Sequence, residues 1–190
     1  MTVIKASYGF TMEIEKNTLI QRLSSLDIRA LRWLLTRELF PQLAIFGRVI
    51  STTADGYLYP LILLALLFMG TNHEYQFGLA MLAAFAIERP LYKILKEGFK
   101  RNRPSDCLPD IKGMVIPGDQ FSFPSGHTSA AFLVATVLTT CFPETAPYIY
   151  IWAAMVGCSR VCLGVHFPSD TFAGAILGFS CAQIAFTLVL

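Results

Sequence analysis

Charged side chains are scarce in this sequence: only 15% of its 190 residues are Asp, Glu, Lys or Arg. Soluble domains of this size usually carry about a quarter charged residues, whereas 54% of this chain is hydrophobic. The formal net charge of +2 is also too small to predict nucleic-acid binding. We therefore expect a single membrane domain over residues 1–190, with membrane lipids as partners, no nucleic acid, and an oligomeric state that the composition leaves open.

Patterns that hold metals or form disulfides are also lacking. The five cysteines form no CxxC pair, and Cys158 and Cys162 stand in an apolar segment, where cysteine acts as a small hydrophobe. No cluster of acidic residues suggests a magnesium site. We expect no disulfide, no metal and no cofactor. The first fifteen residues contain Lys5, Glu13 and Glu15 without an apolar run, so no cleavable signal peptide is expected.

Apolar segments separated by short polar breaks fill most of the chain. In residues 13–36, apolar side chains recur at helical spacing with cations between them, which predicts an amphipathic helix lying along the membrane interface. Residues 39–190 predict an all-α integral membrane bundle of about six core helices. These cover residues 41–50, 57–70, 75–95, 126–141, 146–165 and 168–190. The first is too short to cross a hydrocarbon core of about 30 Å, so a full span there stays open.

Two features interrupt this apolar pattern. Glu88 and Arg89 precede Pro90 inside the third core segment. Ionisable residues are costly inside a membrane, so we expect a local ion pair near a proline kink, facing protein or the interface. Residues 96–123 form the long polar connection, and a connection of this length is usually functional.

Three polar clusters stand at the ends of apolar segments. They contain Lys96 and Arg103; Ser125, Gly126 and His127; and Arg160, His166 and Asp170. Two spans separate the loop after the third core helix from the break before the sixth, so the clusters share one membrane face. Orientation stays open, because the N-terminal region and residues 93–112 each hold six basic residues.

The residue types in these clusters suit a phosphate ester. Lys96, Arg103 and Arg160 supply cations for phosphate oxygens, although each alone also fits an ordinary interfacial cation. Ser125 is a candidate N-cap, and the N–H of Gly126 at a helix start is able to approach an anion closely. The plainer alternative is that Ser125 only caps the helix and that His127 is a satisfied polar residue.

His166 and Asp170 stand four residues apart on either side of Pro168, which suits the first turn of a helix. Asp170 then either stabilises the helix dipole or accepts the Nδ1 proton of His166. The second arrangement leaves Nε2 free for attack on phosphorus, as in a catalytic triad. His127 has no such acid nearby in the sequence.

The three clusters together resemble the signatures of the type 2 phosphatidic acid phosphatase family. Lys96 is followed after six residues by Arg103-Pro104, then by Pro-Ser-Gly-His ending at His127, then by Ser159-Arg160 with His166 and Asp170 at the family spacing. The order and spacing make the resemblance specific, and it covers residues 57–190.

The resemblance implies a metal-independent phosphatase built from transmembrane helices. His166 would be the nucleophile and form a phosphohistidine, Asp170 would orient it, and His127 would protonate the leaving oxygen and later activate water. The phosphate would be held by five residues: Lys96, Arg103, Ser125, Gly126 and Arg160.

A lipid phosphate is the expected substrate: undecaprenyl diphosphate, phosphatidylglycerol phosphate, phosphatidic acid or a lipid A phosphate. The short chain favours a multi-pass protein of the bacterial inner membrane, and the resemblance implies a site on the periplasmic face. The alternative is a non-enzymatic phospholipid-binding or transport protein that retains the anion site.

Overall fold

The computed structural model describes residues 18–36, 40–68 and 70–190, and within them every regular element is a helix. The predicted all-α fold is therefore confirmed. The α-helices are α1 (Thr18–Leu35), α2 (Phe40–Thr52), α3 (Leu58–Phe68), α4 (Asn72–Phe99), α5 (Pro104–Cys107), α6 (Gly126–Cys141), α7 (Ala146–Cys162) and α8 (Pro168–Val189). Predictions for residues 1–17 and 37–39, including the signal-peptide prediction, lie outside the described residues.

Helix α6 lies at the centre of the bundle, where it packs against α4, α7 and α8. Helices α2 and α3 lie outside it, against α7 and α4 respectively. The closest approach is between α6 and α8: a Cβ built on Gly178 would lie 2.0 Å from the Ser129 carbonyl oxygen, and one on Gly174 would lie 2.5 Å from that of Ser125. These two glycines bring the α6 N-terminus, which carries Ser125 and His127, against the start of α8.

Gly178→Ala is expected to destabilise the bundle by about 1–3 kcal/mol, because the added methyl group forces two backbones apart. Thermal unfolding in detergent measures the effect. Gly98→Ala is the matched control, since a Cβ there meets nothing within 4 Å and alanine favours helix over glycine. Equal midpoints for the two variants would contradict the close packing of α6 on α8.

Helix α4 is longer than the sequence predicts. It continues through Pro90 to Phe99, and Lys100 ends it in the left-handed conformation with φ 45°. Lys96 therefore lies in the last turn of a helix and not in the loop. Glu88 is fully buried and pairs with Arg89, as predicted, and also accepts a hydrogen bond of 2.6 Å from Ser129 Oγ.

Helix α7 ends three residues earlier than predicted, at Cys162, because Gly164 takes a positive φ of 70°. The following turn releases His166 from the helix. An added Cβ at Gly164 would also lie 3.0 Å from the Lys112 carbonyl oxygen, so the turn packs closely on the long loop.

Among the described helices, Pro168–Val189 has both the length and the apolar character of a membrane span, with mean hydropathy 1.8. Leu58–Phe68 and Gly126–Cys141 are apolar but shorter. The outer face of α8 exposes large apolar side chains such as Phe172, Ile176 and Leu188, which is typical of a surface that contacts lipid. Helix α2 has 13 residues, about 20 Å in length, in agreement with the prediction of a short segment.

Helix α1 is amphipathic, as predicted. Its inner face buries Leu31 among Ile111, Val161 and Phe167, next to the turn that carries His166. On the opposite face, Arg22 and Arg29 are exposed. The helix is thus attached to the end of the bundle that carries the three polar clusters.

Candidate active site

Most of the predicted site residues converge on one cavity of about 340 Å³. Six of the eight line it: Lys96, Arg103, Gly126, His127, Arg160 and His166. Ser125 and Asp170 do not line the cavity, and both are fully buried. The helix ends that the sequence predicts on one face therefore meet, with two of the eight residues behind the cavity wall.

His166 lies in the turn between α7 and α8, almost fully buried. Its Nε2 is 3.4 Å from Arg103 Nη1 on the cavity side. Its Nδ1 lies 3.7 Å from Asp170 Oδ2, a contact longer than a hydrogen bond. Burial lowers the pKa of His166 to about 4, and the charges of Arg103 and Arg160 act in the same direction against Asp170. The imidazole is therefore neutral at physiological pH.

Asp170 stands in the first turn of α8, directly behind His166. Its Oδ2 accepts the Phe167 N–H at 2.8 Å, and its Oδ1 accepts Nη1 of Arg101 at 2.6 Å. The carboxylate is thus fixed from two sides. Its backbone carbonyl also accepts the Ser125 N–H at 3.0 Å, which links the second and third polar clusters.

Two of the three predicted cations donate a hydrogen bond to a neutral group. Arg103 donates to the Val165 carbonyl oxygen at 2.7 Å, and Arg160 donates from Nη1 to Ser51 Oγ at 2.6 Å. Arg160 Nε and the Tyr59 hydroxyl are buried but have no hydrogen-bond partner among the described residues. Because both residues line the cavity, a ligand with acceptor oxygens would satisfy these atoms.

Asp119 lies between the cations, a position that the sequence analysis did not predict. Its carboxylate accepts Lys96 Nζ at 2.7 Å and also bonds to Arg103 and Tyr92. Burial raises the pKa of Asp119, but the hydrogen bonds from Lys96 and Tyr92 together with the nearby cations outweigh it and keep that pKa below its usual range. An ionised carboxylate therefore pairs with Lys96 and Arg103, two of the cations that are suited to binding a phosphate.

His127 has an acidic partner from a distant part of the chain. Its Nε2 lies 2.9 Å from Asp55 Oδ1, in the connection between α2 and α3. No acid stands near His127 in the sequence, as predicted, and Asp55 is 72 positions away along the chain. The polar break that ends α2 is the only sequence signal for Asp55.

Ser125 precedes α6, and its hydroxyl accepts a hydrogen bond of 2.9 Å from Thr128 Oγ1. The Ser125 hydroxyl proton is not used by that bond and remains available to another acceptor. Gly126 follows, and a Cβ on it would lie 3.1 Å from the Tyr92 ring. Only a small residue fits between the α6 N-terminus and α4 at this point.

A family model described as the PAP2 superfamily matches residues 75–190. The chain belongs to the PAP2 superfamily. The resemblance inferred from the three polar clusters is thereby confirmed, and all eight predicted site residues fall inside the matched PAP2 region. Asp55 and Ser51, which contact His127 and Arg160 respectively, precede it.

Individual PAP2 relatives agree with this assignment. Phosphatidylglycerophosphatase B of Bacillus subtilis is 37% identical over 136 residues, which cover 66% of this chain and 64% of that protein. The match therefore spans just under two thirds of that curated relative's length.

Two solved structures share the fold. The crystal structure of Aquifex aeolicus LpxE aligns with a TM-score of 0.71 and 30% identity over 93% of this chain and 99% of that one. The transmembrane PAP2 type phosphatidylglycerolphosphate phosphatase of Bacillus subtilis aligns with a TM-score of 0.68 and 28% identity, over 92% of this chain and 88% of that chain. The helical bundle is thus that of a membrane protein.

Proposed function

We propose that this PAP2 protein is a phosphatase that hydrolyses the phosphomonoester or diphosphate head group of a membrane lipid. One observation carries the proposal: a single cavity is lined by two histidines and four cations, and three buried polar atoms of its lining residues have no hydrogen-bond partner among the described residues. The names of the relatives, which include a phosphatidylglycerophosphatase, support the same class of reaction.

His166 is the proposed nucleophile. Its neutral Nε2 attacks phosphorus, a phosphorus–nitrogen bond forms, and the bond from phosphorus to the lipid oxygen breaks. Asp170 stabilises the positive charge that develops on the ring. The 3.7 Å separation of Nδ1 and Oδ2 closes to a hydrogen bond in the reacting complex, since such contacts are often long without substrate.

His127 is the proposed acid and base. It donates a proton to the leaving lipid oxygen, then takes one from the water that hydrolyses the phosphohistidine, and inorganic phosphate is released. A protonated imidazole carries two N–H groups, so His127 keeps Asp55 as a partner and still donates one proton. Asp55 stabilises this protonated form.

Lys96, Arg103 and Arg160 are the proposed phosphate ligands, together with the hydroxyl proton of Ser125 and the N–H of Gly126. Their cations balance the charge of the transferring phosphoryl group. No group of three or more His, Cys, Asp or Glu side chains in the described part of the chain is arranged to hold a metal ion. The reaction is accordingly proposed to need no divalent metal.

Substrate phosphate must displace Asp119, because both bind the same cations. Asp119→Asn removes the competing charge, and we expect inorganic phosphate to inhibit this variant about tenfold more strongly, the equivalent of one charge-assisted hydrogen bond. Asp110→Asn in the same loop is the control. Weaker inhibition of Asp119→Asn would mean that Asp119 positions the cations and does not compete for them.

Lipid candidates are undecaprenyl diphosphate, phosphatidylglycerol phosphate, phosphatidic acid and a lipid A phosphate. We place the protein in the bacterial inner membrane, with the cavity on the periplasmic face. The alternative is a phospholipid-binding or transport protein that binds the head group without cleaving it.

Phosphate release from these four lipids by the purified protein in detergent, with excess EDTA present, separates the two functions. We expect turnover of at least one lipid in chelator, and none with His166→Ala. Binding of every lipid without phosphate release would favour the alternative. Loss of turnover in EDTA that added Mg²⁺ restores would contradict the metal-free mechanism.

A further inference from the structure

Two side chains outside the proposed reaction connect Asp170 to helix α1. Arg101, in the loop between α4 and α5, donates from Nη1 to Asp170 Oδ1 at 2.6 Å and from Nη2 to Asp27 Oδ2 at 2.7 Å. Asp27 lies on α1 and is 5% exposed. One guanidinium therefore bridges two buried carboxylates from α1 and α8.

Asp27 also binds the first turn of α8 directly. Its Oδ1 accepts the Ser169 N–H at 3.0 Å, and its Oδ2 accepts the Ser169 hydroxyl. The first N–H groups of a helix have no partner within the helix, and a carboxylate there is favourable. Phe167, the residue before α8, has no side-chain acceptor, so α1 supplies the cap. The turn that Asp27 caps is the one that carries Asp170.

The bridge suits arginine in particular. Its planar fork reaches both carboxylates at once, whereas a lysine ammonium acts as a point charge. The guanidinium carbon also lies 4.2 Å from the centre of the Phe167 ring, and the Arg101 carbonyl oxygen accepts the Ser122 N–H at 2.7 Å. Arg101 is therefore fixed by both its side chain and its backbone.

Asp170 needs a cation because it is completely buried, and a buried charge without a partner is strongly unfavourable. The neighbouring His166 is neutral and 3.7 Å away, so it does not supply that charge. Among the described residues, Arg101 is the permanently charged side chain that pairs with Asp170.

We propose that Arg101 and Asp27 are positioning residues for the His166–Asp170 pair, and that turnover therefore depends on the docking of α1. This inference rests on the proposed function, because Arg101 and Asp27 act on the reaction only through Asp170. Arg101 holds the carboxylate in place and shares its charge, and Asp27 holds both Arg101 and the start of α8.

Removal of the Arg101 charge changes how readily His166 is protonated, and the direction of that change follows from the charges around the ring. The charged groups facing His166 are Asp170 from α8, Arg160 from α7 and Arg103 from the loop before α5, with Asp119 paired to Arg103. Without Arg101, the full negative charge of Asp170 acts on the ring and favours its protonated form. The acid limb of kcat/KM, where His166 loses activity by protonation, then moves to higher pH.

Arg101→Gln and Arg32→Gln form a matched pair for the test. Arg32 also joins α1 to the polar connection between α4 and α6, through Asp110 at 2.9 Å, but the pair is exposed and does not contact Asp170. We expect Arg101→Gln to lower kcat about ten- to one-hundredfold, the effect of one charge-assisted hydrogen bond, with KM changed less than about threefold. Its acid limb moves to higher pH, while Arg32→Gln retains the wild-type profile.

A second pair tests the α1 side of the bridge. Asp27→Asn is expected to lower kcat about tenfold or more, and Asp110→Asn, which breaks the exposed pair, to leave it unchanged. Arg101→Lys keeps the positive charge but loses the planar guanidinium that contacts both carboxylates. It should restore the acid limb to the wild-type pH while recovering only part of kcat.

The outcomes separate this inference from the function on which it rests. Turnover absent in wild type, or retained in His166→Ala, overturns the proposed function. With wild type active and His166→Ala inactive, an Arg101→Gln profile that keeps the wild-type acid limb assigns Arg101 a purely structural role and overturns the inference. Asp27→Asn with the same kcat as Asp110→Asn overturns the part that concerns α1.

Discussion

His166→Ala is expected to abolish both turnover and the acid-labile phosphoenzyme, because the proposed bond to phosphorus forms at Nε2 of His166. The loss should reach the detection limit, as removal of a nucleophile costs about 10⁶-fold in a well-characterised hydrolase. Rapid-quench labelling with a radiolabelled activated phosphate ester measures both quantities. His73→Ala is the control, since His73 is exposed at the start of α4, the end opposite to Lys96.

His127→Ala is expected to behave differently in the same experiment. A substrate with a good leaving group needs little protonation, so the variant should still form some phosphoenzyme. Hydrolysis of that intermediate should be slow, because no base activates the water. Label on the His166→Ala protein, or at any residue other than His166, would overturn the assignment of the nucleophile.

Asp170→Asn is expected to lower kcat about a thousandfold or more while the fold is retained, on the scale of the same change in a serine-protease triad. An amide beside Nδ1 favours the tautomer that carries the proton on Nε2, and that tautomer is not able to attack phosphorus. Turnover of purified, folded protein measures the effect.

The control for Asp170→Asn is Asp106→Asn, an exposed carboxylate in α5. Because Asp170 is buried, thermal unfolding of each variant is measured in parallel, and Asp170→Glu restores the charge if asparagine disturbs folding. A folded Asp170→Asn protein with wild-type kcat would show that Asp170 only stabilises the helix end.

Motif spacing and the even number of spans predict that Lys96, Arg103, Arg160 and His166 lie together, and one cavity does contain them. Such a prediction succeeds because polar residues at the ends of membrane-spanning helices are confined to one of the two faces of the membrane. The length of α4 is not predictable in this way. Its last turn is polar and continues past the membrane-like apolar stretch that marks the predicted end.

The acidic partners other than Asp170 are the part of the site that the sequence does not reveal. Asp27 lies in the amphipathic helix α1, and Asp55 and Asp119 lie in connections between helices, none of them within a motif. Each meets its basic partner through a contact across 16 to 74 positions of the chain. Pairings of that kind depend on how the helices pack, which a periodic pattern does not specify.

The cap that Asp27 supplies to α8 limits how segments of related proteins are exchanged. A chimaera that joins the matched region, residues 75–190, to the first helices of another relative would keep every signature residue. It would lose the carboxylate that binds Ser169 and Arg101 unless the donor helix carries an acid in register. The smallest interchangeable unit of this fold therefore begins before Asp27, well upstream of the first signature.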